Sequence, residues 1–550
     1  MPDIDDEAVQ TQAIDASGGT ATATRVFGDG MFVEVGEPSA VATSDDVVVI
    51  GGSHGWAQNN VRTALKRSAG TVGWYPIGVY DAGTLTCRRV FTSRWTVNSI
   101  AIHPSGDLVA IGTGSYDGGY SFEGELLVHN LVTGMTVSVL DHNRCVEALR
   151  WVDDTSLELL LAPPTDEDVD NHEDLVYFLP VVKTDWKKVG PRSVQIPTNS
   201  TTSRPVRDTR TARREVADLA GAHGQEWRPR RQAWSVTPCP DGGFVVGLSS
   251  AIERWNAHDG ALRWRTAFEG TCTQVMPGQG SLQVAVWADG NAYQDRATTL
   301  TAVSVDTGVG TTLVQPGHGA AITARSDGNL LIRDTRHTRR EPEPAVVLNP
   351  AGTEVGRVDL GGYDLFNHHL DIRKAQDFLV LVGEPTRPWD DKHVAAVTES
   401  STGDWTVNRL FPLAWTPGAH LFGGPGAFVD DPGGLGLIHS GVVHDGRGLL
   451  PGNAFVARRS YPDGELLWHV PLDNQITGLD EHDGRTIAVT NLGELLTIDT
   501  LTGQPLARRN GLSTRDGHPV VPLTLVITSE ETMLVGTFDG RVAEYAIPLR

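Results

Sequence analysis

The chain is short of lysine, methionine and cysteine and has no long apolar run, and each shortage narrows what it can be. Lysine occurs only at Lys66, Lys183, Lys187, Lys188, Lys374 and Lys392, so basic charge rests on arginine spread along the chain. The 45 basic residues are outweighed by 68 acidic ones, and the formal net charge of −23 repels phosphates, which disfavours general nucleic-acid binding. The four cysteines, Cys87, Cys145, Cys239 and Cys272, form no Cys-x-x-Cys pair, so spacing signals neither a zinc motif nor a disulfide framework. A reducing compartment fits that usage. No stretch approaches the roughly 20 apolar residues of a membrane span. The first residues carry Asp3, Asp5, Asp6 and Glu7 where a signal peptide has an apolar core. The expectation is a cytoplasmic protein without a membrane segment, with a disordered acidic tail over 1–23 and one folded domain over 24–550.

What the chain has in abundance is punctuation: 61 glycines and 31 prolines over 550 residues, with 39% hydrophobic residues to fill a core. One pattern recurs, of four short apolar runs separated by turn residues. Its clearest copy spans 97–141, with predicted strands at 99–103, 108–112, 125–129 and 135–140. The third turn ends in glycine in eight copies, Asp81-Ala82-Gly83, Val132-Thr133-Gly134, His258-Asp259-Gly260, Asp306-Thr307-Gly308, Pro350-Ala351-Gly352, Ser401-Thr402-Gly403, Pro462-Asp463-Gly464 and Leu501-Thr502-Gly503, while a further unit at 145–197 has the strands but not the glycine. Glycine supplies the positive φ of a tight hairpin. Such four-stranded units at this spacing are the signature of a propeller blade. The last copy, 521–548, stops one strand short, while 24–36 forms a strand-like segment with no unit of its own. The expected fold is therefore all-β, a single closed β-propeller of four-stranded blades, about eight to ten units, closed by the N-terminal strand completing the last blade.

Two copies carry a family resemblance. Residues 255–264, Trp-Asn-Ala-His-Asp-Gly-Ala-Leu-Arg-Trp, and 460–468, Ser-Tyr-Pro-Asp-Gly-Glu-Leu-Leu-Trp, resemble the WD40-like and PQQ-like (quinoprotein-type) propeller repeats. The Asp-Gly turn followed by tryptophan looks like the tryptophan docking pattern of the latter. The resemblance implies architecture and no particular chemistry. The fourteen tryptophans, including Trp151, Trp234, Trp255, Trp264 and Trp468, are read as packing between blades.

Motifs that suggest chemistry are few. Gly51-Gly52-Ser53-His54-Gly55 matches the nucleophile elbow Gly-x-Ser-x-Gly, but the same slot in other copies is filled by small residues, so it reads as loop. An acidic loop at 163–174 begins like a calcium loop at Asp166, yet Tyr177 stands where the bidentate glutamate belongs. An arginine-rich insertion at 198–231 carries Arg204, Arg207, Arg210, Arg213, Arg214, Arg228, Arg230 and Arg231, and is read as an arm for an acidic partner or for this chain's own acidic surface. His142, His318, His368, His369, His420 and His518 fall in or beside the loops that would surround a channel mouth, where imidazoles bind metal or exchange protons.

The leading functional expectation is a non-catalytic scaffold or sensor that binds a protein partner within a cytoplasmic assembly. The alternative is a metal-dependent or acid/base enzyme with a His-lined channel mouth. No motif signals a cofactor; a transition metal is what the alternative would use.

Overall fold

The computed structural model describes residues 18–52, 56–58, 72–116, 121–163, 177–196, 209–277, 281–287, 297–317, 319–334, 343–361, 372–384, 391–413, 420–444 and 449–548. Among these the regular structure is almost all strand, with one α-helix and two short 3-10 turns. The runs that read most strongly as strands are the second of each unit. Val47–Gly52, Leu108–Thr113, Phe244–Leu248 and Leu330–Asp334 are buried at every position. A strand sandwiched between neighbouring sheets must be apolar on both faces, which is why these segments are continuous rather than alternating. The last strand of a unit borders solvent, and there the pattern breaks up: Leu466–Leu472 alternates exposed and buried positions.

The repeated unit is an antiparallel sheet of four strands in chain order, as in Ala233–Pro238, Phe244–Leu248, Ala251–Trp255 and Leu262–Ala267. Sheets of the same order occupy 97–138, 271–314, 320–358 and 476–509. Residues 146–182 and 378–412 make three-stranded sheets. In the last, Arg25–Phe27 pairs antiparallel with Val542–Ala546, joining residues about 500 positions apart in one sheet.

A single closed propeller of eight to ten units is not formed. Among the described residues the strands divide among twelve separate sheets, and none of these closes on itself. The reason lies in how the sheets pack. Apolar clusters join the 233–267 sheet to 271–314, and so on through 320–358, 378–412, 420–472 and 476–509 to the sheet that holds Arg25–Phe27. That sheet packs in turn on 233–267, where Phe27 meets Phe244 edge to face at 4.9 Å. The sheets of 38–182 form a separate stack, joined to one another by their own clusters. Hydrophobic patterning specifies each sheet but leaves open which sheets become neighbours, and the first three units are set aside.

One interaction recurs between sheets. In the 262–267 strand, Trp264 lies over Gly308 of the next sheet and its indole N–H donates to the Val305 carbonyl at 2.8 Å. Trp468 repeats this on Gly503, donating to the Thr500 carbonyl at 2.9 Å. Gly308 and Gly503 have φ of 72° and 73°, and a Cβ there would stand 2.7 Å and 2.5 Å from the indole, so glycine is required both by conformation and by space. Phe411 over Gly464 and Leu313 over Gly352 fill the same role. At the first unit the turn is built differently: Leu85, two residues past Gly83, takes the positive φ of 56°.

Trp468→Ala should destabilise the chain by ~3–5 kcal/mol, the usual cost of emptying a tryptophan site, and Gly503→Ala should destabilise it through the same contact. Urea unfolding followed by tryptophan fluorescence checks this: a midpoint unchanged in both variants would show that the docking does not hold the sheets together.

Candidate functional site

The insertion at 198–231 is the connection by which the chain leaves the separate stack. Residues 197–208, with Arg204 and Arg207, lie outside the described residues. Helix α1 follows at Thr209–Ala222 and includes Arg210. Ala212, Val216 and Ala220 recur every fourth residue and are buried, and Val216 and Ala220 pack on Val48, Ile50 and Tyr80 of the 38–93 sheet. Three arginines of the segment pair with buried carboxylates. Arg213 and Arg231 converge on Glu37, the latter at 2.6 Å, and Arg230 forks onto Glu253 with two bonds of 2.9 Å. Arg230 also donates to the Gly540 carbonyl at 2.9 Å, which ties the segment to the sheet of the Arg25–Phe27 strand. Arg214 and Arg228 are exposed, beside Asp218 at 3.8 Å and Glu226 at 2.8 Å. Burial pushes the Glu37 carboxyl up, but the hydrogen bonds from Arg213 and Arg231 outweigh it and hold the carboxyl below the usual carboxylate range.

The candidate histidines divide. His318, His368 and His369 lie outside the described residues, as does most of the acidic loop at 163–174. His420 begins the strand His420–Asp431, paired with His444. His142 is exposed and bonded to Asp141 at 2.7 Å. His129 and His439, which loop placement did not single out, are buried within sheets, and burial pulls them down to about 4 and about 3, so they are neutral core residues. In the Gly-x-Ser-x-Gly stretch, a Cβ on Gly51 would strike Val97 and one on Gly52 the Val35 carbonyl, so both glycines answer to packing; Ser53, His54 and Gly55 lie outside the described residues.

His518 has different company. Its ring lies with Glu34 and Cys87, the three ligand atoms within 4.8 Å of one another and all three residues partly buried. Glu34 sits in the one-turn helix Val33–Val35, Cys87 opens the strand Cys87–Ser93, and His518 belongs to a tight loop in which its N–H donates to Thr514 Oγ1 at 3.2 Å. Tyr80 donates its hydroxyl to Glu34 Oε2 at 3.1 Å. Arg541 lies 3.7 Å from Glu34 and is matched by Asp539 at 2.6 Å and Asp29 at 3.4 Å. Burial raises Glu34 against the pull of Arg541, and burial together with the Glu34 carboxylate pushes the Cys87 thiol up to about 12. Burial lowers His518, and Arg541 adds to the shift. The three residues are far apart in sequence and share no motif spacing, so nothing in the sequence joins Glu34 and Cys87 to His518.

Because the Glu37 carboxyl is depressed in the folded chain, its contribution to stability is complete above the unfolded value of about 4.3 and is lost as pH falls through the folded one. Acidification should therefore loosen α1, and Glu37→Gln should loosen it at neutral pH while removing the dependence. Hydrogen exchange of residues 209–222 across pH checks both; protection that follows the same pH course in the variant would contradict the role given to Glu37.

No family model and no curated protein sequence matches the chain. Among solved structures, it is similar to BamB from Moraxella catarrhalis at 14% identity and a TM-score of 0.33, over 59% of this chain and 87% of that one. It is also similar to the computationally designed Ika8 protein at 13% identity and a TM-score of 0.26, over 96% and 100% of the two chains. Likenesses this distant carry no functional assignment, so the reading of function rests on the chain's own surface.

Proposed function

We propose that the chain is a non-catalytic scaffold that docks a basic protein partner along the rim formed by its third turns. The observation that carries this reading is the placement of the exposed apolar side chains. Most of the large ones lie in those turns or within three residues after the glycine, among them Val132, Met135, Leu262, Val309, Leu466 and Leu501. Val132 is 75% exposed and Val309 67%. Single exposed apolar residues need no explanation, whereas a repeated series is the kind of surface that partners cover.

The docking of four of these turns on the preceding sheet joins them into a rim. Gly308 lies against Trp264, Gly352 against Leu313, Gly464 against Phe411 and Gly503 against Trp468, so the turns and the outer strands between them adjoin. Carboxylates are interleaved with the apolar positions: Asp306 is 91% exposed, and Asp259, Asp463 and Glu465 face solvent. With a net charge of −23 behind them, these groups favour a partner that brings arginine or lysine together with apolar anchors. Arg213, Arg230 and Arg231 support the same polarity, since each is paired with a carboxylate of this chain.

The experiment is recovery of the native complex from the source cell, followed by reassembly from purified components. A basic partner should bind stoichiometrically, with affinity that falls as salt rises. Val309→Glu combined with Leu466→Glu should weaken it by at least about tenfold, in keeping with loss of central apolar contacts, while the melting temperature stays unchanged. A chain that runs without a stoichiometric partner, or a partner held equally by the double variant, would overturn the proposal.

A further inference from the structure

We propose that Glu34, Cys87 and His518 form a zinc-binding site. The three ligand atoms already lie within 4.8 Å of one another. Tetrahedral zinc, with bonds of 2.0–2.3 Å, separates its ligands by roughly 3.3–3.7 Å, so side-chain rotation of about 1 Å completes the arrangement. A thiolate, an imidazole and a carboxylate together suit zinc; calcium and magnesium take oxygen donors throughout.

Each donor is set by its backbone. Cys87 is held in register opposite Tyr80 on the adjoining strand. Glu34 lies in a one-turn helix entered through Phe32 at a φ of 58°. His518 is held in a loop closed by Thr514, whose N–H donates to the His518 carbonyl at 2.8 Å, with Gly517 at a φ of 83°. Among the described residues neither ring nitrogen of His518 takes a hydrogen bond. Tyr80, donating to one carboxylate oxygen of Glu34, stands where an orienting partner of a metal ligand is found.

The charges nearby point the same way. Arg541 is the cation facing this cluster, and Asp539 at 2.6 Å matches it. Arg541 is also 3.7 Å from Glu34, so one cation is shared among Glu34, Asp539 and Asp29. A divalent ion would displace the Cys87 thiol proton and balance the resulting thiolate together with the Glu34 carboxylate. Three protein donors leave a fourth position for water, so the ion would be open to exchange. It would also tie the 38–93 sheet of the separate stack to the loop that precedes Pro522–Ile527, two parts of the chain that the fold brings together from distant sequence.

The test uses the full chain, stripped with chelator and then loaded with zinc or with cobalt(II) as a spectroscopic probe. Zinc should remain at close to one ion per chain after dialysis and should raise the melting temperature by mass action. Cobalt should give a thiolate-to-metal charge-transfer band. Cys87→Ser and His518→Ala should lose both, and Glu34→Gln should weaken zinc binding by about tenfold or more, as ligand-shell changes do. Melting of each variant in chelator, matched to that of the unaltered chain in chelator, separates loss of the site from loss of the fold. A loaded chain that retains no metal, or a charge-transfer band that persists in Cys87→Ser and so comes from another cysteine, would overturn the proposal.

Discussion

Contact between sheets depends on a side chain from the last strand of one sheet lying flat on a turn of the next. Trp264 and Trp468 do this most fully, each covering a glycine and donating its indole N–H to a carbonyl of the turn. The contact joins two requirements in one place. The turn needs a left-handed residue to reverse the chain, and the neighbour needs a surface without a Cβ on which to rest. Glycine satisfies both, so the residue that shapes each hairpin also sets the spacing to the sheet before it. A Cβ added at the glycine would stand 2.1 Å from Phe411 at Gly464 and 3.0 Å from Leu313 at Gly352, so the aromatic residues leave the least room.

The segment 209–231 is held by a different kind of contact. It crosses from the separate stack to the sheet of Arg25–Phe27, and its buried charges mark the crossing: Glu37 takes two arginines and Glu253 a third. A buried ion pair with fully used hydrogen bonds adds little net stability over an apolar contact, but it tolerates only one geometry. The effect is to fix where α1 lies against the 38–93 sheet.

The local parts of this architecture were legible in the sequence and the global parts were not. The turn glycines from Gly134 to Gly503 have the positive φ that hairpin chemistry demands, and the two tryptophans placed after Asp-Gly turns do dock on neighbouring turns. Each of these depends on residues a few positions apart. Neighbourhood among sheets depends on side chains hundreds of residues apart, such as Phe27 on Phe244, and no periodicity encodes it. The same limit hid the cluster of Glu34, Cys87 and His518. His518 stood out as a loop histidine, while a lone cysteine opening a strand and a glutamate between two valines looked like any others. Ala21–Thr22, near the end of the stretch 1–23, pairs in parallel with Leu512–Ser513.

The pairing of Arg25–Phe27 with Val542–Ala546 has a consequence for how the protein comes into being. A ribosome delivers the early strand first and its partner more than 500 residues later. The separate stack of 38–182 draws its strand pairs from nearby residues and can condense while synthesis continues. The strand just ahead of it must wait, with its ladder unmatched and Phe27 uncovered, until Val542–Ala546 has been made. A product that stops short of that strand keeps an open edge.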